Sequence, residues 1–328
     1  MIPAPALPPS QAALPTGRRL RVLLVNDDGV EAPGLHALFT ATAALADVTV
    51  VAPATERSAA GHSITVFNEL SLRRHTRDHH AEAWWGLDGT PADCVKMALT
   101  VIMRDAPPDI VVSGVNRGQN TGTSILYSGT VAGAREAAMA GLPAIAVSLA
   151  VTPPPPTALW EAFALPLATA TGPASDAMAA AAPTPSTTVA PAPADFALAS
   201  RSLARDPAEF THAAVFAADL AIDTVRRATL PRGTILNVNV PMLHGRPPAG
   251  VAVAPMGHSL FVDDFQVMRE IEGIPHYRNM GDRFVPTGHG RDWDDLVLRR
   301  GMVAVTPLRY DLTHHEFLAD LREWFPAG

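Results

Sequence analysis

Short apolar runs alternating with amphipathic stretches leave a chain few folds to adopt, and this chain alternates in that way from residue 21 onward. Arg21 to Val25 (RVLLV) reads as a buried strand that runs into Asn-Asp-Asp-Gly. Pro33 to Ala46 follows as a helix, with Leu35, Leu38, Phe39 and Leu45 on one face. Val48 to Ala52 is a second strand, closed by Pro53. Thr90 to Met103 reads as a helix begun by a Thr-Pro pair, Ile110 to Ser113 as a third strand, Ser128 to Ala140 as a helix and Ala144 to Leu149 as a fourth strand. Strand and helix alternating at this spacing imply an α/β fold, a doubly wound, mostly parallel sheet covered by helices.

Later in the chain, Phe210 to Ala228 is expected to be helical and Thr234 to Val240 a strand, which completes the core. From about residue 246 proline, glycine and aromatic residues become frequent. Residues 246–328 therefore read as a less regular carboxy-terminal extension, with a strand at Met302 to Thr306 and a closing helix near Thr313 to Trp324. The core itself is assigned to residues 18–151 and 208–245. Residues 1–17, rich in proline and alanine, read as a disordered tail, and residues 152–207 as a low-complexity insertion.

Charge and cysteine content narrow the class. The net charge of -7 is the wrong sign for a general nucleic-acid binder, which needs a basic face. A small phosphorylated substrate needs positive charge only locally, for example from a metal ion. Cys94 is the sole cysteine, so neither an internal disulfide nor a thiolate metal cage can form, and a reducing cytoplasm is expected. The amino terminus lacks a basic segment and a continuous apolar core, and no stretch has membrane-spanning character. No nucleic-acid or membrane partner is expected.

In open parallel sheets ligands bind beyond the carboxyl ends of the strands. There the sequence supplies Asn26, Asp27, Asp28 and Gly29 after the first strand, then Glu56 to Ser63 after the second, then Ser113 to Asn120 after the third. Carboxylates, hydroxyls and amides without cysteine form an oxygen-rich set, suited to magnesium, manganese or calcium rather than zinc. On the turn after the strand, Asp27 and Asp28 are able to converge on one ion. The other reading is that one caps the next helix and its neighbour is solvated. Ser58 and Asn116 gain meaning only from lying at the same crevice, since each alone reads as a turn residue. Ser128, Gly129 and Thr130 open a helix, where backbone N–H groups and hydroxyls cradle phosphate or where a hydroxyl simply caps.

Taken together, NDDG, APATERSAAGHSIT, GTPADCVKMAL and VVSGVNRGQNTGTSILYSGTVAGAREAAMAGLPAIAVS resemble the SurE family of stationary-phase survival nucleotidases. LNVNVP and GMVAVTPLRYDLT match as well. The resemblance is dense from Arg21 to Leu149 and looser from about Phe210. It implies a Rossmann-like core, an extension exchanged between the subunits of a homodimer or homotetramer, and hydrolysis of nucleoside 5'- and 3'-monophosphates, with short polyphosphate as a further substrate in some members. It implies one divalent cation, magnesium or manganese, on Asp27, Asp28, Ser58 and Asn116, and phosphate on Asn120, Ser128, Gly129 and Thr130. The family often carries an aspartate shortly before the YSGT motif, where this chain has Thr123 and Ser124. The tail and the insertion are likewise not general family features.

No covalent nucleophile stands out, so a metal-activated water is the expected attacking group, with Asp27 and Asp28 as the catalytic carboxylates. His62, His258 and His289 are candidates for protonating the leaving group, each with a structural histidine as the blander alternative. Two rival functions differ in what they need. Aspartyl-phosphate phosphatases space their two aspartates one residue apart, whereas these are adjacent. A nucleotide-sensing module would bind phosphate without turnover.

Overall fold

The computed structural model describes residues 17–75, 84–150, 206–228, 230–243, 246–280, 284–286 and 292–325. Its centre is a nine-stranded sheet in the order β3-β4-β2-β1-β5-β6-β7-β13-β8. The strands are β1 (Arg21–Val25), β2 (Asp47–Pro53), β3 (Leu72–Arg74), β4 (Trp84–Leu87), β5 (Ile110–Arg117), β6 (Ala144–Ala150), β7 (Thr234–Pro241), β8 (Val251–Val253) and β13 (Val303–Arg309). From β4 to β7 every neighbouring pair is parallel. The edges turn around: β3 is antiparallel to β4, and β13 is antiparallel to β7 with β8 parallel beside it.

Helices cover this sheet. Helix α2 (Pro91–Met97) packs with α3 (Gly129–Met139), while α1 (Pro33–Ala43) packs with α4 (Thr211–Arg227). The cluster around α2 and α3 takes Leu23 and Val25 from β1, alternate residues on one face, and Val22 and Leu24 on the other face are just as fully buried. Burial on both faces is why the strand reads as a continuous apolar run rather than an alternation. Close packing of α1 rests on Gly34, where a Cβ would lie 2.0 Å from the Val115 carbonyl oxygen.

Several boundaries differ from the sequence reading for physical reasons. Helix α1 stops at Ala43, so Leu45 lies beyond its end and is exposed. Thr90 caps α2 in a reciprocal capping box with Asp93, but the helix widens into a π turn at Ala98–Ile102. Strand β5 continues past Ser113 to Arg117 across a register shift against β6. The closing helix α6 (Phe317–Trp324) begins at Phe317 rather than Thr313.

The insertion expected at residues 152–207 lies outside the described residues as far as 205. Asp206 then caps a short 3₁₀ turn, Pro207–Phe210, that leads into α4. Of the expected tail, residues 1–16 lie outside the described residues. In the carboxy-terminal part, β9 (Ser259–Phe261) pairs with β12 (Phe284–Pro286), β10 (Phe265–Ile271) pairs with β11 (Ile274–Asn279), and α5 (Asp294–Arg299) leads into β13. Strands β10 and β11 expose Phe265, Val267, Met268, Ile271, Ile274 and Tyr277. Among the described residues, no helix is long and apolar enough to cross a membrane.

Candidate active site

Strand order reverses between β1 and β5, because β2 and β4 extend the sheet on one side of β1 while β6 and β7 extend it on the other. Loops leaving β1 and β5 therefore diverge and open a crevice at their carboxyl ends. Asp27 and Asp28 stand at this crevice. Gly29 beside them has φ of 103°, a left-handed conformation that glycine adopts without strain, and Val30 N–H donates to the Pro53 carbonyl at 2.8 Å. Asn26 is fully buried and its amide closes the turn by donating to the Gly29 carbonyl at 2.9 Å.

The two carboxylates reach different elements. Asp27, 5% exposed, accepts the Thr130 hydroxyl from the first turn of α3. Asp28 accepts the backbone N–H of Arg117 at 3.0 Å, from the end of β5. Neither caps α1, whose first position follows Ala32 with no side-chain cap. Burial pushes the Asp27 carboxyl above its ordinary range. Asp28 is pushed up to about 7, first by burial and then by the charge of Asp27. The charge of Glu56 adds to both displacements.

Ser58 and Asn116 occupy the loops that flank this pair. The Ser58 hydroxyl donates to Glu56 Oε1 at 2.6 Å, and Asn116 Nδ2 donates to the Gly118 carbonyl at 2.7 Å. Arg57 N–H donates to the Asp27 carbonyl at 2.7 Å, so the Ser58 loop is tied directly to the aspartate turn. Among the described residues, no group of three or more His, Cys, Asp or Glu forms a metal cluster.

On the opposite wall, Ser128 caps α3 by accepting Val131 N–H at 3.1 Å. A Cβ on Gly129 would lie 2.8 Å from both Cβ and Oδ2 of Asp27, so only glycine lets the helix start approach the carboxylate this closely. Asn120 is buried, and its amide donates to Ser148 Oγ at 2.8 Å. Its backbone is held from β7: Asn239 Oδ1 accepts Asn120 N–H at 2.8 Å, while the side-chain amides of Asn237 and Asn239 both donate to its carbonyl.

Sequence reasoning placed Glu56 in the crevice loop without giving it a role, and it passed over Asn237 and Asn239. The last two carried a signal. In an otherwise apolar strand, LNVNVP places two amides at period two on one buried face, where each requires a partner. Of the candidate histidines, His62 is 3.0 Å from Glu136 Oε2, and Glu136 also pairs with Lys96 at 2.6 Å. His258 packs edge-on against Trp293, and His289 lies outside the described residues. Cys94 is buried, and burial pushes its thiol well up, which removes it as a nucleophile.

A family model described as the survival protein SurE matches residues 22–189. A 5'-nucleotidase SurE from Heliobacterium modesticaldum is 34% identical over 310 residues, covering 94% of this chain and 93% of its own. The chain belongs to the SurE family. Another 5'-nucleotidase SurE, from Thermosynechococcus vestitus, is 35% identical over 93% of this chain and 96% of its own. The crystal structure of the SurE protein from Aquifex aeolicus is similar in fold, with a TM-score of 0.64 and 28% identity, covering 93% of this chain and 99% of that one. Every aspartate, serine, asparagine and threonine singled out from the sequence falls within the SurE match. Asn237, Asn239 and the carboxy-terminal residues fall beyond it.

Proposed function

We propose that this chain is a divalent-cation-dependent phosphatase that hydrolyses nucleoside 5'-monophosphates, with 3'-monophosphates as a second substrate class. The observation that carries the reading is the adjacent Asp27–Asp28 pair at the sheet's reversal point, Asp27 buried against the start of α3 and Asp28 half-buried beside the end of β5. Two carboxylates disfavoured by burial and by each other invite a cation, and the donors around them are oxygens. Asp27, Asp28, Ser58 and Asn116 fit such an ion, magnesium or manganese by donor chemistry. Bound there, it would neutralise phosphate charge and favour ionisation of water.

The rest falls to the chain's own groups. The α3 amino terminus, with Ser128–Thr130, favours a phosphate dianion through the helix dipole. Thr130 also orients Asp27 through its hydroxyl. Cys94 is buried and Ser128 is engaged as the α3 cap, and we take water rather than a side chain as the attacking group. Direct attack by water on phosphorus, with loss of the nucleoside alkoxide, follows as the chemistry. Self-association through the carboxy-terminal extension and cytoplasmic residence belong to the same proposal. A panel of nucleoside monophosphates assayed with and without chelator tests it, and a protein that binds nucleotides without releasing phosphate would instead be the sensing module.

A further inference from the structure

The turn that carries the phosphate-side residues is held by a carboxylate more than 160 residues further along the chain. Asp294, the first residue of α5, is fully buried. Its Oδ1 accepts the backbone N–H groups of Gly257 and Asp295, each at 2.9 Å. Its Oδ2 accepts the Gly122 N–H at 3.0 Å, with Oδ1 3.2 Å from the same nitrogen. An ionised carboxylate accepts from all three backbone donors at once and presents no hydrogen of its own. An amide in its place would present one oxygen and two unwanted hydrogens.

Gly122 opens a 3₁₀ turn, Gly122–Leu126, which ends two residues before the α3 cap, Ser128. With φ of 53°, Gly122 is seated so closely that a Cβ would lie 2.8 Å from Ser259 Oγ and 3.2 Å from the Gly257 carbonyl oxygen. Thr123 adds a second tie by donating its hydroxyl to the Ser259 carbonyl. Tyr127 N–H then donates to the Ser124 carbonyl at 3.0 Å, and the Tyr127 carbonyl accepts the Gly61 N–H at 3.2 Å. The turn thus supports both the Ser128–Thr130 helix start and the loop that carries Ser58.

We infer that Asp294 is a positioning residue for phosphate recognition, setting the place of Ser128–Thr130 through Gly122 and joining Gly257 and the start of α5 to the binding apparatus. The inference rests on the proposed reading of the α3 start as a phosphate site. Asp295 serves as the control, because it removes the same charge from the same helix without bonding Gly122.

The test is calorimetric titration with inorganic phosphate on the full-length protein, beside steady-state hydrolysis of a nucleoside 5'-monophosphate. Asp294→Asn is expected to weaken phosphate binding and raise KM by about tenfold or more, the range typical of supporting hydrogen-bond partners. Asp295→Asn should match wild type. Thr123→Val, a gentler loosening of the same turn, should shift phosphate binding in the same direction, and it decides the matter if Asp294→Asn fails to fold. Wild-type phosphate affinity in both Asp294→Asn and Thr123→Val would overturn the inference, as would equal weakening by Asp295→Asn. Weakened phosphate binding in a protein that hydrolyses no nucleotide would leave the inference standing and overturn the substrate reading. A wild-type protein that binds no phosphate would overturn both.

Discussion

Replacing Asp28 by asparagine should make the metal-free protein more stable and less active at the same time. A carboxyl held at about 7 instead of 3.8 binds its proton more tightly in the folded state than in the unfolded chain. Its contribution therefore favours folding at low pH and is progressively lost as pH rises from about 4 to about 7. Each tenfold in that preference is about 1.4 kcal/mol, which sets a ceiling of about 4 kcal/mol. The displacement is shared with Asp27 and screened where solvent reaches the side chain, so about 2–3 kcal/mol is the working figure. In a domain of this size that amounts to about 5–10 °C in Tm. Thermal unfolding in chelator at pH 8 should show Asp28→Asn melting above wild type by that margin, with the gap closing toward pH 5. Added magnesium or manganese should raise the wild-type Tm and leave the variant nearly unmoved, since a cation that binds only the folded state stabilises it by mass action. Turnover should fall by about 100-fold or more. A variant that melts at or below wild type in chelator at pH 8 would refute the argument that the pair is electrostatically uncompensated without a cation.

Exhaustive chelation should abolish hydrolysis and magnesium or manganese should restore it, with released phosphate as the readout. Gly129→Ala pushes a methyl into Asp27 and should cost about 100-fold or more in kcat/KM, while circular dichroism reports an intact fold. Ser128→Ala should raise KM or lower turnover, cost about 1 kcal/mol in stability through the lost cap, and leave the metal titration midpoint unchanged. Deleting residues 157–204 should leave turnover and Tm nearly unaffected, because that composition offers no core-facing pattern. Light scattering should give a mass at least twice that of one chain.

The core was legible where one physical requirement dominated the residue choice. RVLLV and AIAVSLA are buried on both faces, and a continuous apolar run says so directly. The Asp27–Asp28 turn was legible as the end of β1 for a different reason, since two adjacent carboxylates break the apolar run. What stayed hidden depended on distant partners. Nothing local shows that Trp84–Leu87 is a parallel strand beside β2, because its short length and flanking polar residues fit a loop equally well. Leu45 looked like a core residue because helical periodicity was extended past the point where the helix stops. Thr130 reads in the sequence only as a phosphate residue, and its bond to Asp27 is a pairing across 103 positions that spacing cannot reveal. Asp294 reads as an ordinary acidic residue at a short helix until Gly122 is seen against it.

The amide clamp on Asn120 has a consequence for the order in which the molecule is made. A chain leaving the ribosome presents β1, β2 and β5 early, and these have most of one another's partners at once. The Asn120 loop must wait for Asn237 and Asn239, 117 and 119 positions later. Until they arrive, its carbonyl and N–H have only water, and closing so long a span is entropically slow. Newly synthesised protein should therefore acquire its sheet before its crevice, and chemistry at that crevice should begin only when the distal third of the polypeptide has emerged.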